Sequence, residues 1–231
     1  MAELGLHTLI GAAHYPGTSV LSAWHSIGSL LLLKCSRRGR TGNAFPLGAD
    51  PGLGLALGLA ALPKATHLGS YSYRVRRSDN LALLEALGVR CHQLGLYTGQ
   101  AGFNLDFHTI RHFGEQVPLE EHYVVSRSQR TRSVLTFFAQ EQESGVLCYG
   151  NANLTRDDQA GEVLRFVEFW HTLAGHDPQW LYFDSKVAPY PELSRVNRRG
   201  IWFVTIRRRG SRLLRRLTAL PATAWHRAVI D

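Results

Sequence analysis

Between Gly102 and Ile206 the apolar residues change their spacing in a set order, and that order constrains the fold more than any other feature of the chain. Gly102-Phe-Asn-Leu-Asp-Phe-His-Thr-Ile110 alternates, with Phe103, Leu105 and Phe107 on one side and Asp106 and His108 on the other. That is the two-residue period of a half-buried strand. Val134–Ala139 and Gly145–Tyr149 read as two further strands joined by the polar turn Gln140–Ser144. From Asp157 to Ala174 the spacing becomes helical, with Val163, Phe166, Val167 and Trp170 on one face and Gly175 as the stop. Trp180-Leu-Tyr-Phe-Asp184 is a short apolar strand ending in an acid, Tyr190–Arg198 a short helix, and Ile201–Ile206, after Gly200, a last strand. Trp170 and Trp180 both read as core. An antiparallel meander that runs into α/β alternation predicts an α/β fold with a mixed sheet and helices on its faces.

Ahead of this region, residues 1–98 read as mainly helical, so two regions are expected, 1–98 and 99–231. Val20, Ala23, Ile27, Leu30 and Leu31 give a helix over Ser19–Lys34, followed by the basic loop Cys35-Ser-Arg-Arg-Gly-Arg40. The Gly-rich stretch Gly48–Ala61 lacks GxxxxGK[ST] and follows no strand, so it reads as a tightly packed helix or turn and not as a phosphate loop. Tyr71-Ser-Tyr-Arg-Val-Arg-Arg77 suits either a DNA-facing loop or a link between helices. A helix over Asn80–Leu87 is expected to end at Gly88.

Bulk properties narrow the function. With 231 residues, 45% of them hydrophobic and 19% charged, the chain is expected to bury a core rather than stay disordered. Cys35, Cys91 and Cys148 show no paired-ligand spacing, which argues against a zinc ribbon or a disulfide scaffold and for a reducing compartment. Met1–Thr8 has no signal-peptide pattern, and the apolar run Ile27–Leu33 is far short of the roughly 20 residues of a membrane span. A cytoplasmic protein with no membrane partner is expected. From Arg195 to Arg227 there are ten arginines and no acid; with Asp231 this end carries +9, so the net charge of +8 leaves residues 1–194 at −1. Such a cluster suits phosphate contacts, since guanidinium pairs with phosphate in a bidentate fashion, or else a solvated basic face.

Two acids stand out in this frame. Asp106 lies within the first strand and Asp184 ends the strand after the long helix, and those two strands can lie side by side in the middle of the sheet. Converging carboxylates hold Mg²⁺ or Mn²⁺ through oxygen and leave positions for water and phosphate. Taken singly, each Asp equally suits a turn or a helix cap. His108 shares the face of Asp106 and either lines the site or plays a local structural part. Lys186 either contacts a phosphate or flanks the strand. The eleven histidines form no HxxxH or HxH set with a third ligand, and GxSxG is absent.

Asn104-Leu-Asp-Phe-His-Thr-Ile110, Glu162-Val-Leu-Arg-Phe-Val-Glu-Phe-Trp170, Leu181-Tyr-Phe-Asp-Ser-Lys186, Leu193-Ser-Arg-Val-Asn-Arg-Arg-Gly-Ile201 and Phe203-Val-Thr-Ile-Arg-Arg-Arg209 resemble the core of bacterial insertion-sequence transposases of the DDE type. Leu62-Pro-Lys64 and Tyr71-Ser-Tyr-Arg74 are similar to that group as well. The resemblance implies an RNase H-like core, DNA transposition by metal-dependent strand cleavage and transfer, Mg²⁺ (or Mn²⁺) as cofactor, and transposon-end DNA as partner, with a homodimer as a candidate assembly. It assigns Asp106 as the first metal-binding acid and Asp184 as the second. Lys186, Arg207, Arg208 and Arg209 are the expected DNA contacts. The third acid of the family, a Glu well beyond the second strand motif, has no counterpart: only Glu192 and Asp231 follow Asp184, one too near and the other the last residue. The expectation is a core truncated before its third acid and inactive alone; the alternative is a non-catalytic DNA-binding remnant.

Overall fold

A computed structural model describes residues 3–36, 50–98, 102–113, 118–124, 128–184, 187–207 and 210–226. Among them the order is α1 (Leu6–Ala12), α2 (Ala23–Cys35), α3 (Pro51–Leu55), α4 (Ala65–Tyr71), α5 (Arg77–Gln93), β1 (Gly102–Arg111), β2 (Glu121–Val124), β3 (Gln129–Glu141) and β4 (Leu147–Ala152). Then follow α6 (Arg156–Gln159), α7 (Glu162–Ala174), β5 (Trp180–Phe183), α8 (Tyr190–Arg198), β6 (Trp202–Thr205) and α9 (Ser211–Thr218). The chain is an α/β protein with a mixed six-stranded sheet. β1 is central: β3 pairs with it antiparallel on one side, β5 parallel on the other, and β6 lies parallel outside β5. β2 and β4 both pair antiparallel with β3.

Alternation decides what the sheet buries. Phe103 and Leu105 of β1, Leu135, Phe137 and Ala139 of β3, and Leu181 and Phe183 of β5 form one apolar face. Val163, Phe166, Val167 and Trp170 of α7 and Val196 of α8 pack onto it, and all five are fully buried. Phe103 sits edge-on to Phe166 at 5.2 Å and 4.4 Å from the Trp170 ring, the kind of tilted contact aromatic quadrupoles favour. The Glu162 carboxylate is buried with its lone pairs satisfied: Tyr149 donates its hydroxyl at 2.9 Å, Asn151 its amide at 2.7 Å and Arg165 a guanidinium N–H at 3.0 Å. Burial, with Glu162 next to it, raises the Tyr149 hydroxyl well above its ordinary value, so it stays a donor.

The expected long helix 157–174 is two pieces, α6 and α7, broken at Ala160 and Gly161; Gly175 ends α7 with φ 78°, in the left-handed region that glycine occupies without strain. Gly88 does not end a helix. α5 runs past it to Gln93, and a Cβ there would lie 2.9 Å from Phe169 Cζ and 3.0 Å from the Cys148 carbonyl oxygen. The glycine marks the close approach of α5 to β4. Leu87 and Cys91 reach the sheet core, and Arg77 donates to Ala152 O and Asn151 Oδ1 on β4. The last helix of the N-terminal region thus shares the core of the sheet.

The earlier helices close small cores of their own. Ile10, Ala13 and Tyr15 pack with Trp24, Ile27 and Leu31, and Leu33 packs with Leu68. In the Gly-rich stretch, Asp50 caps α3 and Leu57 is buried, so the described part is a packed helix and turn. The Tyr71–Arg77 segment links helices: Tyr71 is buried and donates to Pro16 O, and Arg74 lies 5.1 Å over its ring. No helix among the described residues is long and apolar enough to cross a membrane.

Candidate metal and DNA site

The parallel pairing of β1 and β5 runs Gly102↔Trp180, Phe103↔Leu181, Asn104↔Tyr182 and Leu105↔Phe183. Asp106, still within β1, and Asp184, just past the end of β5, are the next residue of each segment. Paired residues on neighbouring strands point to the same side and lie roughly 4.8 Å apart. Leu105 and Phe183 are turned into the core, so Asp106 and Asp184 are both turned away from it, and both are exposed. The acids therefore follow the last registered pair of the two central strands, both exposed. His108, two residues beyond Asp106, is exposed on that same face, and its carbonyl accepts a hydrogen bond from Thr136 Oγ1 at 2.8 Å. Across β1, Asp106 is paired with Phe138 of β3. Beyond Asp184 the register of β5 with β6 leads to Ile206 and then Arg207.

A pair of oxygen donors of this kind fits Mg²⁺, which keeps several waters and takes one or two carboxylates plus substrate phosphate. Among the described residues, no group of three or more His, Cys, Asp or Glu side chains converges. Glu192 belongs elsewhere: it is buried in α8 and pairs with Arg195 at 3.0 Å.

The arginine cluster divides. Arg199 donates to both Asp177 oxygens, at 2.8 and 2.6 Å, and to Glu168, while Arg195 is taken up by Glu192. Hydrogen bonding from Arg199 holds the Asp177 carboxyl below its ordinary value, against the opposing effect of burial, and the same bond raises the Arg199 guanidinium. Arg198, Arg207, Arg212, Arg215 and Arg216 are exposed and form no ion pair among the described residues. Lys186, Arg208 and Arg209 lie outside the described residues. A cleft of about 920 Å³ opens between α8 and the end of β6 and is lined by Tyr190, Leu193, Phe203 and Thr205, with Arg156 and Arg207 also on its wall. It contains neither Asp106 nor Asp184.

One expectation is corrected. Trp170 is core, but Trp180 is not: it lies on the face of the acids, 36% exposed, and stacks on Trp202 of β6 with ring centroids 5.7 Å apart. The strand Trp180-Leu-Tyr-Phe is apolar on both faces, so periodicity gives no sign of which side turns inward. What could have pointed to an exposed face is the acid at Asp184, which shares its parity with Trp180 and Tyr182.

The fold and the site together define an α/β protein with a mixed sheet and two exposed carboxylates at the ends of the paired segments of its central strands. Comparison of the chain with protein-family models, curated proteins and solved structures finds no match.

Proposed function

We propose that this chain is a transposase-type DNA-processing core, whose reaction is metal-dependent DNA strand cleavage and transfer. The observation that carries the reading is the parallel pairing of β1 with β5 through Leu105 and Phe183, after which Asp106 and Asp184 are the next residue of each segment, both exposed. In it the two carboxylates hold Mg²⁺ or Mn²⁺ through oxygen. The chemistry such an ion would supply to the residues holding it is Lewis-acid activation of phosphate and of water. Arg207, with Arg208 and Arg209 next to it, contacts backbone phosphate, and Lys186 lies two residues from Asp184 to do the same. Transposon-end DNA is the partner, and the protein is cytoplasmic.

A non-catalytic DNA-binding role is favoured by a separate observation, the five exposed arginines that form no ion pair among the described residues. Both readings require that duplex DNA bind through phosphates. Affinity should fall with salt on a log–log plot with a slope of roughly −0.9 per neutralised phosphate, and Arg207→Ala with Arg208→Ala and Arg209→Ala should flatten it. DNA affinity that ignores salt contradicts both. Nicking of a supercoiled plasmid with Mg²⁺ separates them. In-line displacement with two ions generally needs more ligands than two carboxylates, so the chain alone is expected to nick at no measurable rate while still binding one ion. Nicking that Asp184→Asn abolishes would show the site to be already complete.

A further inference from the structure

The cleft between α8 and the end of β6, at about 920 Å³, has the size of a small-molecule site. Such sites run to about 300–1,000 Å³ and combine an apolar lining with a few polar groups. Leu193 of α8 and Phe203 of β6, both half-buried at the margin of the sheet core, line this one together with Ile206, which is 69% exposed. Pro189 and Pro191, also on the wall, stiffen the entry to α8, so that side of the cleft is set before anything binds. None of the lining residues is an acid, and two are arginines. Arg156 is fixed by donating to Glu121 O at 2.6 Å, and Glu120 accepts from its backbone N–H at 3.0 Å. Arg207 is exposed and forms no ion pair among the described residues.

We infer that this cleft binds a small amphiphile, an apolar body with one anionic head, the head meeting Arg207 and the body lying against Leu193, Phe203 and Ile206. The inference stands apart from the DNA-processing reading, since neither Asp106 nor Asp184 lines the cleft. A guanidinium takes a carboxylate or a phosphate monoester in a bidentate, charge-assisted pair, and burying an apolar body against the lining adds to it. A cation is repelled by both arginines, and a small inorganic anion gains nothing from the apolar wall. The leucine-bearing helix α9 of a second copy fits less well, because it would bring Arg212, Arg215 and Arg216 to a wall that already carries two guanidinium groups.

Isothermal titration calorimetry of the full chain with decanoate, decyl phosphate, decanol and acetate, each below its micelle concentration, tests this. Decanoate or decyl phosphate should bind, the tighter of the two naming the head group, with decanol about tenfold weaker or more and acetate without measurable heat. Arg207→Gln should weaken the anionic ligands about tenfold and leave decanol unchanged. Ser194→Trp, which puts a large ring into the cleft from an exposed position on α8, should abolish binding of all of them, with circular dichroism as the check on folding. Decanol as tight as the anions overturns the inference, and so do anion affinities that Arg207→Gln leaves unchanged, a folded Ser194→Trp that still binds, or no binding of any of the four. All of these leave the DNA-processing reading standing, and a wild type that binds decanoate but no duplex DNA removes that reading and not this one. Sedimentation showing a dimer that Ser194→Trp dissociates would assign the cleft to a second copy of the chain and overturn the inference.

Discussion

Single side chains divide the arginine-rich stretch into two populations that composition cannot tell apart. Arg199 is held by Asp177, 22 residues earlier in the chain, and by Glu168 on α7, so its charge ties α8 to the helix layer and is not offered to a ligand. Pairings over such separations are invisible until the fold closes, which is why ten arginines read from sequence as one basic cluster. The Asp177 carboxyl titrates below its ordinary value in the folded state because of the Arg199 hydrogen bonds, with His171 Nδ1 adding another at 2.7 Å. A depressed carboxyl contributes stability that is present above its unfolded value and is lost as pH falls through the lower folded one. Urea denaturation of the wild type at pH 7, 5 and 3 should therefore show a loss of stability at the acid end, below about pH 4. Asp177→Asn should start lower at pH 7 and show a smaller fall. An identical pH dependence in the two proteins would mean that the ion pair does not couple to folding.

At the scale of elements, the strands and helices that position the acids were legible, because each carries its own period. β1 shows clean alternation, α7 a helical stripe closed by Gly175, and α8 matches its expected span from Tyr190 to Arg198. β2 was not legible: Glu121-His-Tyr-Val124 has too few residues to show a period, and its pairing with Arg132–Gln129 of β3 is what makes it a strand. α9 was hidden by its arginines, although Leu213, Leu214 and Leu217 have helical spacing. Gly88 reads as a stop because glycine is the usual residue just past a helix end, and one inside a helix normally costs about 1 kcal/mol relative to Ala. Here the close packing of α5 against β4 outweighs that cost. Gly88→Ala is expected to lose about 1 kcal/mol of stability net, because overpacking against a backbone carbonyl costs about 1–3 kcal/mol. A urea midpoint that rises in Gly88→Ala would show that β4 yields easily and that the glycine has no packing role.

The whole molecule joins a neutral body to a basic end. Residues 1–194 are close to balanced in charge, the excess lies after Arg195, and the sheet brings the start of that end, through β6, beside the two central strands. Neither the charge nor the acids alone specify a function, and the fold sets Arg207, just past β6, on the wall of the cleft beside α8, with Asp106 and Asp184 outside that cleft. Which side of the sheet α7 and α8 cover could not be read from sequence, since it depends on long-range packing of Trp170, Phe166 and Val196. The claim on which the account turns is that Asp106 and Asp184 share one divalent ion. Titration of Mn²⁺ into the wild type, Asp106→Asn, Asp184→Asn and the double variant tests it most directly. Two carboxylates on one ion act as a unit, so each single substitution should weaken binding about tenfold or more, and the double should be little worse than either, a non-additive cycle. Binding that none of the substitutions changes, or losses that simply add, would contradict a shared site.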